Sequence, residues 1–142
     1  MSVDRELVTR KMTLIVRDLE RLGAIHLGGV SAYCENAVNQ AVVERYLERL
    51  IGRMIDINYH LITEMGDAPP ADYHASFLRL AEIKILGVEF AARIARSAGL
   101  RNRLVHEYDE IDPRKVFEAL GAALDDVPAY LDKVNAFLDQ RS

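Results

Sequence analysis

Apolar residues recur along this chain at intervals of three and four. Val8, Met12, Ile15, Leu19 and Leu22 form one stripe, which predicts a helix over about residues 4–22. Gly23 is a natural stop. The stretch to Val30 holds three glycines and reads as a loop, with Ser31 able to cap the next helix. Val43, Leu47, Leu50, Met54, Ile57, Leu61 and Met65 keep the same rhythm, widened by Ile51, Ile55 and Ile62. They predict a second helix over residues 32–65, about 50 Å long. Gly66-Asp67-Ala68-Pro69-Pro70 ends it, because proline cannot continue a helix and restricts the residue before it.

A third helix is expected from Tyr73 to Leu86, using Phe77, Leu80 and Ile83. A fourth over 88–98 uses Val88, Phe90, Ala91 and Ile94, with Gly99 as punctuation. Residues 100–108 read as a short helix or a continuation past a kink. Asp112-Pro113 is a start signal, an acidic cap with proline at the first helical position. Phe117, Leu120, Leu124, Val127, Leu131, Val134 and Leu138 mark the last helix. Pro128 falls inside that stripe, so a kink is expected, or a restart capped by Asp125 or Asp126. No strand alternation and no internal repeat is present. The expected fold is all-α: an up-and-down bundle of four long helices plus a short one. The stripes are wide enough that some of this surface is expected to pair with a second copy.

Composition narrows the picture. At 142 residues the chain suits a single domain over 1–142, because two domains would each sit near the lower size limit for a core. Half the residues are hydrophobic and 28% are charged, which is a globular balance. One cysteine, Cys34, excludes an internal disulfide and a cysteine-rich zinc site. No apolar run reaches the ~20 residues of a membrane span, and the first residues lack signal-peptide order. A soluble, cytoplasmic protein is expected. With 22 acidic and 18 basic residues the formal charge is −4, which argues against a general nucleic-acid-coating protein.

That average hides a local block. Between Glu89 and Glu107 there is no acidic residue, yet the interval holds Arg93, Arg96, Arg101, Arg103 and His106. Glu107, Asp109, Glu110 and Asp112 come next and could neutralise it. On a helix, Asn102 and His106 share one face, and Arg101 and Tyr108 lie about 20° apart on another. Histidine exchanges protons near neutral pH. Arginine grips a phosphate through paired, charge-assisted bonds. Asparagine orients a neighbour. Together these groups suit phosphodiester cleavage without a metal.

The string Gly99-Leu100-Arg101-Asn102-Arg103-Leu104-Val105-His106-Glu107-Tyr108, followed by Ile111-Asp112, resembles the Arg-x4-His-x-Tyr motif of the HepT-like branch of HEPN domains. The long second helix, the proline turn and the last helix sit where that family has them, so the likeness covers nearly the whole chain. It implies a metal-independent ribonuclease toxin with no cofactor. It also implies a homodimer with motifs from both copies lining an interface cleft, and a minimal nucleotidyltransferase antitoxin of the MntA type. Carried over by position, Arg101 and His106 are the catalytic pair and Asn102 supports them. Tyr108 stands where the antitoxin transfers AMP. The expected mechanism uses the RNA 2′-hydroxyl, with Arg96 or Arg103 on a neighbouring phosphate. A non-catalytic helical module that docks such a nucleotidyltransferase and is modified by it stays open as an alternative. Outside the motif, Asp56, His60 and Glu64 stack at four-residue intervals, a pattern commoner for solvated pairs than for metal ligands.

Overall fold

A computed structural model describes residues 3–106 and 110–141. The fold is all-α, with no strand among those residues. In chain order the helices are α1 (Arg5–His26), α2 (Val30–Cys34), α3 (Ala37–Glu64), α4 (Tyr73–Glu82), α5 (Val88–Ile94), α6 (Arg96–His106) and α7 (Pro113–Gln140). α3 is the axis of the bundle and packs against α1, α2, α4, α6 and α7. The apolar stripes meet along it. Val8, Ile15 and Leu22 of α1, Leu47, Leu50 and Leu61 of α3, and Leu120 and Val134 of α7 are buried. No helix among the described residues is long and apolar enough to cross a membrane.

Several boundaries differ from expectation, each for a local reason. α1 runs through Gly23 to His26. A Cβ on Gly23 would sit 3.9 Å from Leu124, so this glycine belongs to the packing of α1 on α7. The turn falls instead at Gly29, whose φ is +88°, a conformation glycine adopts at little cost. The helix expected over 32–65 is divided into α2 and α3 at Asn36. Its side chain accepts from the Asn39 amide at 2.9 Å, and Gln40 donates to the Tyr33 and Cys34 carbonyls at the end of α2. Hydrophobic periodicity does not register such a cap.

α4 stops at Glu82, short of Leu86. Lys84 takes a left-handed φ of 65°. The Ile85 amide then reaches the Leu80 carbonyl and the Lys84 amide the Ala81 carbonyl. This pair of bonds is the Schellman closure, and it turns Ile85 and Leu86 into the core. The expected break at Gly99 lies at Ala95, where one turn tightens to an Ala98-to-Ala95 bond. α6 continues through Gly99 to His106. α7 is capped by Asp112, as expected, and runs unbroken past Pro128. Asp126 caps nothing there; it accepts from Arg93 at 3.3 Å.

Two polar clusters tie the bundle together. Tyr130 donates to Asn58, Asn58 donates to Ser76 at 3.0 Å, and Ser76 donates to the Tyr73 carbonyl at 2.6 Å. This relay joins α7, α3 and α4 through the core. Asp18 of α1, its side chain only 6% exposed, takes Arg49 and Arg53 of α3 at 2.6 and 2.9 Å.

Candidate active site

α6 carries five of the six residues the sequence singled out, and its regular geometry decides where they point. Asn102 and His106 lie about 40° apart around the helix and share a face. Arg101 and His106 lie about 140° apart. Their Cα–Cβ directions therefore leave the helix on different flanks. Tyr108 lies outside the described residues.

Arg101 turns toward α3. It lines a cleft of about 560 Å³ with Arg45, Arg49, Arg53, Tyr59 and Tyr73. Its guanidinium sits 5.3 Å from the centroid of the Tyr73 ring, within cation–π range. No described carboxylate pairs with it. Gly52 faces it, and a Cβ there would meet Arg101 Nε at 3.7 Å. Asn102 is exposed and borders a neighbouring cleft of about 470 Å³ with Tyr73, Asp72 and His74. Tyr59 and Tyr73 line both clefts. Asn102 lies mid-helix in α6. His106 is exposed on the last turn of α6.

Arg96 and Arg103, seven residues apart, share the opposite side of α6 and line a third cleft against Ala119 and Ala123 of α7. Their neighbour Arg93 is occupied by Asp126. The arginine block is therefore split by the helix: Arg101 faces α3, and Arg96 and Arg103 face α7.

Sequence reading missed the partners of Arg101. Arg45, Arg49 and Arg53 stand at intervals of four on α3, a visible signal, but only the fold shows that this row faces Arg101. Arg49 offers Nε and Nη2 to Asp18, at 3.1 and 2.6 Å. This hydrogen bonding holds its proton more firmly than usual. The Arg49 guanidinium also lies 4.5 Å from the Tyr46 ring. Burial, with Tyr73 and Asp72 nearby, pushes the Tyr59 phenol up. The possible metal stack on α3 is otherwise engaged: Asp56 pairs with Lys11 at 3.2 Å, and His60 Nε2 accepts from the Asp4 amide at 3.0 Å.

The model of one protein family, described as ribonuclease HepT-like, matches residues 5–134. The chain belongs to that family. A tRNA nuclease HepT from Aphanizomenon flos-aquae is 34% identical over 137 residues, covering 96% of this chain and 93% of the relative. An mRNA nuclease HepT from Shewanella oneidensis is 24% identical over 131 residues, covering 92% and 98%. Among solved structures, a tri-AMPylated HEPN toxin of Shewanella oneidensis in complex with an MNT antitoxin superposes with a TM-score of 0.85. It is 24% identical, with 93% of this chain and 98% of that chain covered. The fold is the HEPN fold, and the family is one of ribonucleases. The expectation of an RNA-cleaving enzyme rests on that membership.

Proposed function

We propose that this chain is the toxin of a two-gene toxin–antitoxin module: a cytoplasmic, metal-independent endoribonuclease made of one HEPN domain over residues 1–142. Two copies pair, and the cleft between them holds an Arg-x4-His-x-Tyr motif from each. The 2′-hydroxyl of the RNA attacks the adjacent phosphorus while the bond to the departing 5′-oxygen breaks. His106 takes the proton of the hydroxyl or delivers one to the leaving oxygen. Arg101 stabilises the charge that gathers on the pentavalent phosphate, and Asn102 orients the imidazole or the strand. Arg96 and Arg103 hold neighbouring phosphates. The products are a 2′,3′-cyclic phosphate and a 5′-hydroxyl. DNA, lacking the attacking group, is spared. A nucleotidyltransferase antitoxin silences the site by transferring AMP to the hydroxyl of Tyr108.

The observation that carries this reading is the motif helix of a HepT-like chain: an exposed His106 and an Arg101 that no described carboxylate neutralises. The divergence of the two around α6 supports pairing, because a second copy can supply the missing group. The test is incubation of the unmodified chain, free of its partner, with single-stranded RNA in EDTA. Cleavage that disappears with His106→Ala is expected. The mechanism is wrong if that variant cuts as fast as its parent. Absence of cleavage by the parent, together with AMP transfer to Tyr108, favours the docking module instead.

A further inference from the structure

The cleft in front of Arg101 holds more positive charge than one scissile phosphate needs. Arg45, Arg49, Arg53 and Arg101 line it, and Lys11 stands beside Asp56 at its edge. Against these five cations stand three carboxylates: Asp18, Glu48 and Asp56. The balance is an excess of two positive charges in a chain whose formal charge is −4.

The row is also prepared in advance. Asp18 binds Arg49 through Nε and Nη2 and Arg53 through Nη1. Arg49 also bonds the Tyr46 phenol, whereas Nε and Nη2 of Arg53 donate to no residue among those described. The two side chains remain 35% and 20% exposed. A buried ion pair is weak evidence of stabilisation; what this one does is fix the direction of two guanidinium forks. Steps of four residues along α3 advance about 6 Å each, comparable to the separation of successive phosphates along an extended strand. Tyr59 and Tyr73 add aromatic surface to the same cleft.

We propose that Arg45, Arg49 and Arg53 form a phosphate-binding track for single-stranded RNA. The track leads away from Arg101, with Tyr73 as an aromatic wall against which a base rests. Basic grooves interleaved with aromatic rings are the ordinary means of holding single strands. The proposal rests on the reading of Arg101 as the group at the scissile phosphate. An acidic protein surface is the other class of occupant. RNA is favoured because it alone uses both the guanidinium spacing and the flat rings.

The test separates binding from cutting. Fluorescence anisotropy is read with a labelled 12-nucleotide oligouridylate carrying 2′-O-methyl groups throughout, which no 2′-hydroxyl mechanism can cleave. Arg45→Glu is the main variant, since Arg45 is exposed and, among the described residues, bonded only to Glu48, whereas altering Arg49 or Arg53 would release buried Asp18. Arg45→Glu is expected to weaken binding roughly tenfold or more and to lower the slope of log K against log salt by about one. Tyr73→Ala is expected to weaken binding while leaving that slope unchanged. Lys133→Glu, an exposed charge change on α7, supplies the baseline for altered net charge. The track is overturned if Arg45→Glu binds like Lys133→Glu, or if the parent does not bind the oligomer at low salt. It is also overturned if Arg45→Glu keeps its RNA affinity and loses only association with a nucleotidyltransferase partner. Cleavage of unmethylated RNA by the parent, measured alongside, tests the ribonuclease reading independently.

Discussion

Tyr130 donates its phenolic proton to Asn58 Oδ1 at 2.6 Å, across 72 residues of sequence. Both residues are fully buried. The bond is the first step of the relay that ends on the carbonyl of Tyr73, the residue whose ring backs Arg101. Burial holds the Tyr130 phenol well above its ordinary range, so it is a neutral donor at every working pH. Tyr130→Phe keeps the ring and strands the Asn58 oxygen. It is expected to cost about 1–3 kcal/mol, read as a lowered midpoint in thermal or urea unfolding.

Tyr33 makes the opposite case. Its hydroxyl is buried with no hydrogen-bond partner among the described residues, and burial, with Glu44 nearby, raises its pKa far above the usual value. The ring packs against Phe117 at 5.5 Å. Removing an unsatisfied hydroxyl relieves a desolvation cost. Tyr33→Phe should therefore be at least as stable as the parent, and a clear loss of stability in the same unfolding experiment would show that the hydroxyl has a partner.

Gly99 sits inside α6. A Cβ there would meet Arg103 Nη1 at 3.6 Å, an ordinary contact with the end of a flexible side chain. Gly99→Ala is expected to raise stability by about 0.5–1 kcal/mol, the usual gain in a helix interior. Circular dichroism melting checks this. A fall of that size would mean that residue 99 needs a backbone only glycine adopts.

Asp18→Asn removes the charge but not the shape that holds Arg49 and Arg53. Charge-assisted hydrogen bonds contribute more than neutral ones, and both arginines can partly recover water. The expected loss is roughly 1.5–3 kcal/mol, accompanied by faster hydrogen exchange where α1 meets the middle of α3. A variant as stable and as protected as its parent would show that the clamp leaves the fold unaffected.

The bundle was readable in the sequence because burial tracks the three-four rhythm, and the stripes of α1, α3 and α7 are the ones that pack. The interruptions were not. Asn36 ends one helix and begins another through its side chain, Gly23 and Gly99 stay helical, and Lys84 takes a left-handed turn that glycine usually supplies. These are choices between local hydrogen bonds, and periodicity is blind to them. The motif from Arg101 to His106 was legible, and so was its helical geometry. Its surroundings were not, because the contact of Asp18 with Arg49 and Arg53 joins α1 to α3, and nothing in either segment names the other.

Arg101 and His106 leave α6 about 140° apart, and on the proposed pairing of two copies this would make cutting a matter of abundance. Under that proposal a lone chain would carry an arginine on one flank and an imidazole on the other, and encounter between copies would complete the blade. The rate per molecule would then climb with concentration and level off. A few stray copies would be harmless to their host, and danger would begin at a threshold set by how tightly two chains hold each other.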